Sequence, residues 1–86
     1  MLLQEVEAKK LEVAAVNLAE SGKYGDSLSE FNKAVALAPN MASLYNNRAQ
    51  LYRLQGRNEE AMADIECAIR LSGGKGKTAM QVCNST

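Results

Sequence analysis

Eighty-six residues, 47% of them hydrophobic and 23% charged, suffice for one small globular domain and not for two. Ten basic and ten acidic side chains cancel to zero net charge at pH 7, which argues against a surface built to hold nucleic acid by its phosphates. Histidine is absent, so Ser-His and Cys-His catalysis and the commonest transition-metal ligand are excluded. The two cysteines, Cys67 and Cys83, stand sixteen residues apart without a CxxC spacing, and a zinc site is not expected. Two lone cysteines in a chain able to build a core point to a reducing compartment. The opening Met1-Leu2-Leu3-Gln4-Glu5 brings in a carboxylate too early for a signal peptide. No run approaches the ~20 apolar residues of a membrane span. These features together predict a cytoplasmic protein.

Helix formers dominate the chain, and the only proline is Pro39. From Leu3 to Glu20 the residues Leu3, Val6, Leu11, Ala14, Ala15 and Leu18 recur at threes and fours, the period of an amphipathic helix. Ser21-Gly22-Lys23 ends it, with Gly22 free to take the left-handed cap conformation. Leu28, Phe31, Ala34, Val35 and Leu37 mark a second helix, which stops at Ala38-Pro39-Asn40 because proline lacks the helical donor. A third is expected from Met41 to Gln55, with Leu44, Tyr45, Ala49, Leu51 and Tyr52 apolar, and Gly56 stops it. A fourth runs from Asn58 to Leu71, with Ala61, Met62, Ile65, Ala68 and Ile69 on one face and Asn58 as its N-cap. Ser72-Gly73-Gly74-Lys75-Gly76 then breaks the pattern, and Lys77 to Cys83 can begin a fifth helix. Nothing alternates with period two, so the expected fold is all-α.

The chain repeats itself. A shift of 34 residues brings Ala8 onto Ala42, Ala15 onto Ala49, Gly22 onto Gly56, Ala34 onto Ala68 and Leu37 onto Leu71. Leu18 and Tyr52, Leu28 and Met62, Phe31 and Ile65, and Val35 and Ile69 match in type. Each unit is a pair of helices joined at a glycine, with small residues where the pair crosses closely. A period of this size signals stacked helical hairpins.

At Leu11, Ala15, Leu18, Gly22, Tyr24, Phe31, Ala34 and Pro39, and again at Tyr45, Ala49, Tyr52, Gly56, Ala61, Ile65 and Ala68, the chain resembles the tetratricopeptide repeat family. The resemblance implies a right-handed α-α superhelix. Its parts would be an N-terminal extension over residues 1–7, repeats over 8–41 and 42–75, and the shortened start of a third repeat or a tail over 76–86. Ser27, Asn58 and Gly73 depart from the family's Ala, Tyr and Pro, with a loss of local packing expected.

What the family implies is protein binding in a concave groove lined by the first helix of each pair, with no catalysis and no cofactor. Ser43, Asn46, Asn47, Gln50 and Arg53 are expected to line it, joined by Lys77. Chaperone-binding members clamp a C-terminal carboxylate with five polar groove residues. Asn47 and Lys77 fall on two of those positions, whereas Glu12, Val16 and Gln81 occupy the other three, and Glu12 would repel a carboxylate. By the resemblance the partner is a protein or peptide, with a heat-shock 70 chaperone as the named candidate. A complete two-carboxylate clamp is not expected.

Other features carry less. Arg48 falls on a partly buried position and reads as structural, and Tyr24, Tyr45 and Tyr52 read as core. Gly76-Lys77-Thr78 resembles the end of a phosphate loop, but its first glycine would be Leu71 and no strand precedes it. Asn84-Ser85-Thr86 is formally a glycosylation sequon at the C-terminal end. Met62, Ile65 and Ile69 are left facing outward for a third repeat, and without one the domain is expected to be marginal and to pair with itself. A self-associating fragment is thus the alternative to a peptide-binding adaptor.

Overall fold

The computed structural model describes residues 3–73, and over that range it is helical with short connecting turns. The helices are α1 (Leu3–Glu20), α2 (Tyr24–Leu37), α3 (Ala42–Leu54) and α4 (Asn58–Gly73). The chain divides into two compact units between Pro39 and Asn40, each of them a helical hairpin: α1 with α2, and α3 with α4. The possible fifth helix, from Lys77 to Cys83, lies outside the described residues.

The first hairpin turns at Gly22, whose φ is +83°. The Gly22 amide donates to Ala19 O at 3.0 Å and the Lys23 amide to Leu18 O at 2.9 Å. This paired closure satisfies carbonyls that the end of α1 would otherwise leave open. Thirty-four residues on, Gly56 has φ +77°, and the Gly56 and Arg57 amides donate to Arg53 O at 3.0 Å and Tyr52 O at 2.8 Å. The internal repeat is therefore a repeat of hydrogen bonds as well as of letters. No atom lies within 4 Å of a Cβ built on either glycine, so a side chain there meets conformational strain rather than a clash. Gly22→Ala and Gly56→Ala are each expected to cost ~1 kcal/mol, read as a fall in the denaturation midpoint.

Within the first hairpin the buried apolar residues are Ala8, Ala15, Phe31, Ala34 and Ala38. The alanines let two helix backbones come close, and Phe31 supplies the bulk. Ser27 sits among them fully buried, and its hydroxyl donates to Ala15 O at 2.6 Å. That bond corrects the expectation that Ser27 weakens packing: the side chain stays small and ties α2 to α1. The apolar face of α1 also differs from the expected one. Leu3, Val6 and Ala14 are exposed, while the buried positions of the helix are Ala8, Glu12 and Ala15. Apolar periodicity alone could not choose between two overlapping stripes when the true seam contained a carboxylate.

In the second hairpin Leu44, Tyr45, Ala49, Leu51, Ala61, Cys67 and Ala68 are buried, together with Asp64. The expected apolar face of α4 splits. Ala61 and Ala68 turn inward, while Met62 and Ile69 stand 64% and 60% exposed. The helix also starts differently. The Arg57 carbonyl accepts from the Ala61 amide at 3.1 Å, which puts Arg57 at the cap position and Asn58 inside the first turn. At the other end α4 continues through Ser72 and Gly73, two residues into the expected break. Tyr45 is buried as expected, whereas Tyr24 and Tyr52 are half-buried.

Candidate protein-interaction face on α3

Five of the six residues predicted to contact a partner lie on α3, and the sixth, Lys77, lies outside the described residues. Ser43, Asn46, Gln50 and Arg53 are exposed and Asn47 is half-buried. Their spacings of three and four place them in one stripe along the helix, with exposed Leu54 at its end. The stripe thus offers a hydroxyl, three carboxamides, one guanidinium and an apolar tip. Leu54 was not among the predicted contacts, because as a large apolar residue at a helix end it reads like core.

Ser43 and Asn46 also edge a shallow surface groove within the second hairpin, completed by Ala42 of α3 and by Ala68, Ile69 and Ser72 of α4. Its lining mixes the small and apolar Ala42, Ala68 and Ile69 with the hydroxyls of Ser43 and Ser72 and the amide of Asn46. A second shallow depression lies along Gln50, Arg53 and Leu54. Both are open features suited to a chain lying on a surface, not to a small molecule held in a cavity.

Beneath the stripe, α3 is fixed to α4 by a buried ion pair. Arg48 Nε and an η nitrogen donate to the two carboxylate oxygens of Asp64 at 2.7 and 2.8 Å, with the side chains only 12% and 7% exposed. The Asp64 hydrogen bonds, more than any other influence, hold the Arg48 guanidinium above its usual pKa. The guanidinium also lies 5.6 Å from the Tyr45 ring centroid and 5.7 Å from that of Tyr52. Burial pushes the Tyr45 hydroxyl up from 10.0. At the hairpin turn Arg57 lies 4.8 Å from the Tyr52 ring and donates from Nε to Glu60 at 2.9 Å. That hydrogen bond holds the exposed Glu60 carboxyl below its ordinary value.

The partly buried position of Arg48 agrees with a structural role, and its partner Asp64 was not legible from sequence. The two stand 16 residues apart on different helices, and only the hairpin brings them together. Glu12 needs a correction. It is 3% exposed and its Oε1 lies 3.1 Å from Lys9 Nζ, so it is not an open negative charge facing a ligand. Cys67 is buried, as expected. Cys83 lies outside the described residues. Among the described residues no group of His, Cys, Asp or Glu is placed to hold a metal ion, and no helix is long and apolar enough to cross a membrane.

Two hairpins with the same glycine closure at a 34-residue offset and alanines at their crossings define a helical-repeat protein. Residues 30–63 match the family model described as tetratricopeptide repeat, so the chain carries a repeat of that family. The matched span runs from within α2, through α3, into α4. The chain is 49% identical over 75 residues to tetratricopeptide repeat protein 36 of Bos taurus, covering 87% of this chain and 40% of that protein. To the human protein of the same name it is 47% identical over 75 residues, again 87% of this chain and 40% of the relative. To the homolog from Nematostella vectensis it is 50% identical over 74 residues, 86% of this chain and 41% of the relative. The chain thus spans about two fifths of the length of these relatives. No solved structure matches.

Proposed function

We propose that the chain is a non-enzymatic protein-interaction adaptor that takes an extended peptide along the exposed face of α3. The observation that carries this reading is the stripe of Ser43, Asn46, Asn47, Gln50 and Arg53, rigidly backed by the Arg48–Asp64 pair. Carboxamides both donate and accept, so a row of them matches the alternating groups of a peptide backbone. Arg53 adds a site for a carboxylate, and Leu54 a contact for an apolar side chain. The partner we assign is the acidic C-terminal tail of a heat-shock 70 chaperone, following the family resemblance. With Val16 and Gln81 in place of clamp residues, binding is through amides and Arg53, not through a full two-carboxylate clamp.

Fluorescence anisotropy with a labelled chaperone C-terminal peptide tests this. The reading expects saturable binding that Arg53→Glu weakens about tenfold, by exchanging a charge-assisted bond for repulsion. Absence of binding, or binding indifferent to Arg53→Glu and Gln50→Ala, would contradict it.

A second reading rests on a different surface. Met62 and Ile69 are 64% and 60% exposed on α4, and two large apolar groups one above the other form a patch that favours association. On this reading the chain pairs with a second copy of itself.

A further inference from the structure

The outer face of α4 is self-complementary in one orientation. Met62 and Ile69, seven residues apart, form its exposed apolar line, with half-buried Ile65 beside it. On the opposite flank of that line lie Glu59, Glu66 and Arg70, at spacings of seven and four. Glu59 is in the first turn of the helix and Arg70 in the last. Neither has an ion-pair partner among the described residues, whereas Glu60 is taken by Arg57.

We infer that α4 pairs antiparallel with the α4 of a second copy, about a two-fold axis between Ile65 and Glu66. This rests on the self-association reading and gives it an orientation. The two-fold brings Met62 of each copy onto Ile69 of the other, burying the apolar line along its length. In an antiparallel pair like flanks meet, so Glu59 of one copy faces Arg70 of the other, twice by symmetry. A parallel pair would instead set this flank against the opposite, Ile65 side of the partner helix and leave Glu59 and Arg70 without each other. Charge therefore selects the antiparallel arrangement. The axis also brings Glu66 close to its own copy, a repulsion that limits affinity. A single pair of helices, each about 24 Å long, belongs to the small class of interfaces, so the dimer is weak and exchanging.

Sedimentation equilibrium across a wide concentration range tests both orientation and association, with helicity of each variant checked by circular dichroism. The substituted side chains are exposed or at the rim, so the hairpin itself is left intact. Met62→Glu with Ile69→Glu is expected to raise the dimer dissociation constant at least about a hundredfold. Glu59→Arg or Arg70→Glu alone is expected to raise it several-fold, up to about tenfold, and the two together to restore it. Glu66→Gln is expected to tighten the dimer. If the apolar substitutions abolish the dimer but the charge exchange restores nothing, the antiparallel register is wrong while self-association stands. A monomer at every concentration overturns both; the apolar line is then covered by residues 74–86 of the same chain or by a different protein. A dimer unaffected by the apolar substitutions overturns the assignment to α4.

Discussion

Asp64→Ala is expected to lower the stability of the second hairpin by about 3 kcal/mol. Arg48 and Asp64 meet in a two-bond fork at 2.7 and 2.8 Å, almost out of contact with water. Removing the carboxylate leaves a desolvated guanidinium, beside the faces of Tyr45 and Tyr52, without its counter-charge. The figure sits at the low end of the range for buried pairs because Arg48 remains 12% exposed and can turn toward solvent. Replacing both partners by apolar residues of similar volume, Arg48→Met with Asp64→Leu, is expected to recover most of the loss, since nothing charged is then left buried. Arg48→Lys keeps the charge but not the planar fork, and falls between the two. Urea midpoints for the four proteins give the comparison. A loss below about 0.5 kcal/mol for Asp64→Ala would mean that the fork is not a structural tie.

Phe31→Ala is expected to cost the first hairpin about 3–5 kcal/mol. Phe31 is 1% exposed, and the other residues of the first hairpin that are fully buried are small: Ala8, Ala15, Ser27 and Ala34. A seam of methyl groups and one hydroxyl cannot expand into the space that an aromatic ring leaves, so the cavity term persists in full. Phe31→Leu, which keeps most of the volume, is expected to lose far less. Against the 5–15 kcal/mol typical of whole domains, the alanine change should leave a measurable unfolded fraction at 25 °C. Thermal and urea unfolding of both variants check it, and equal losses would contradict the packing assigned to Phe31.

The helices were legible because glycine and proline punctuate them so sharply. Leu3–Glu20 was readable at both ends, the lower one fixed by Gly22, and the hairpin turns follow from the two glycines alone. Which face of each helix is buried was harder. Alanine is weakly apolar, so the seams through Ala8 and Ala15 or Ala61 and Ala68 are overshadowed by leucine, valine, methionine and isoleucine nearby. Buried charge was invisible in the same way. Glu12 and Asp64 look like solvent residues until Lys9 and Arg48 are placed beside them. The α3 stripe was legible as exposed polar residues at helical spacing, and Leu54 was missed because burial, not type, distinguishes it from core. The Asn58 cap failed for a related reason: its residue type favours a cap, but the glycine closure ahead of it fixes the chain path so that the position falls to Arg57.

The most direct test of the α3 face is a two-dimensional amide NMR titration of the labelled chain with the chaperone C-terminal peptide. The account predicts dispersed helical resonances, with the largest shifts at Ser43, Asn46, Asn47, Gln50 and Arg53 and little change along the exposed positions of α1. Shifts confined to α4 around Met62 and Ile69, or none anywhere at saturating peptide, would contradict it.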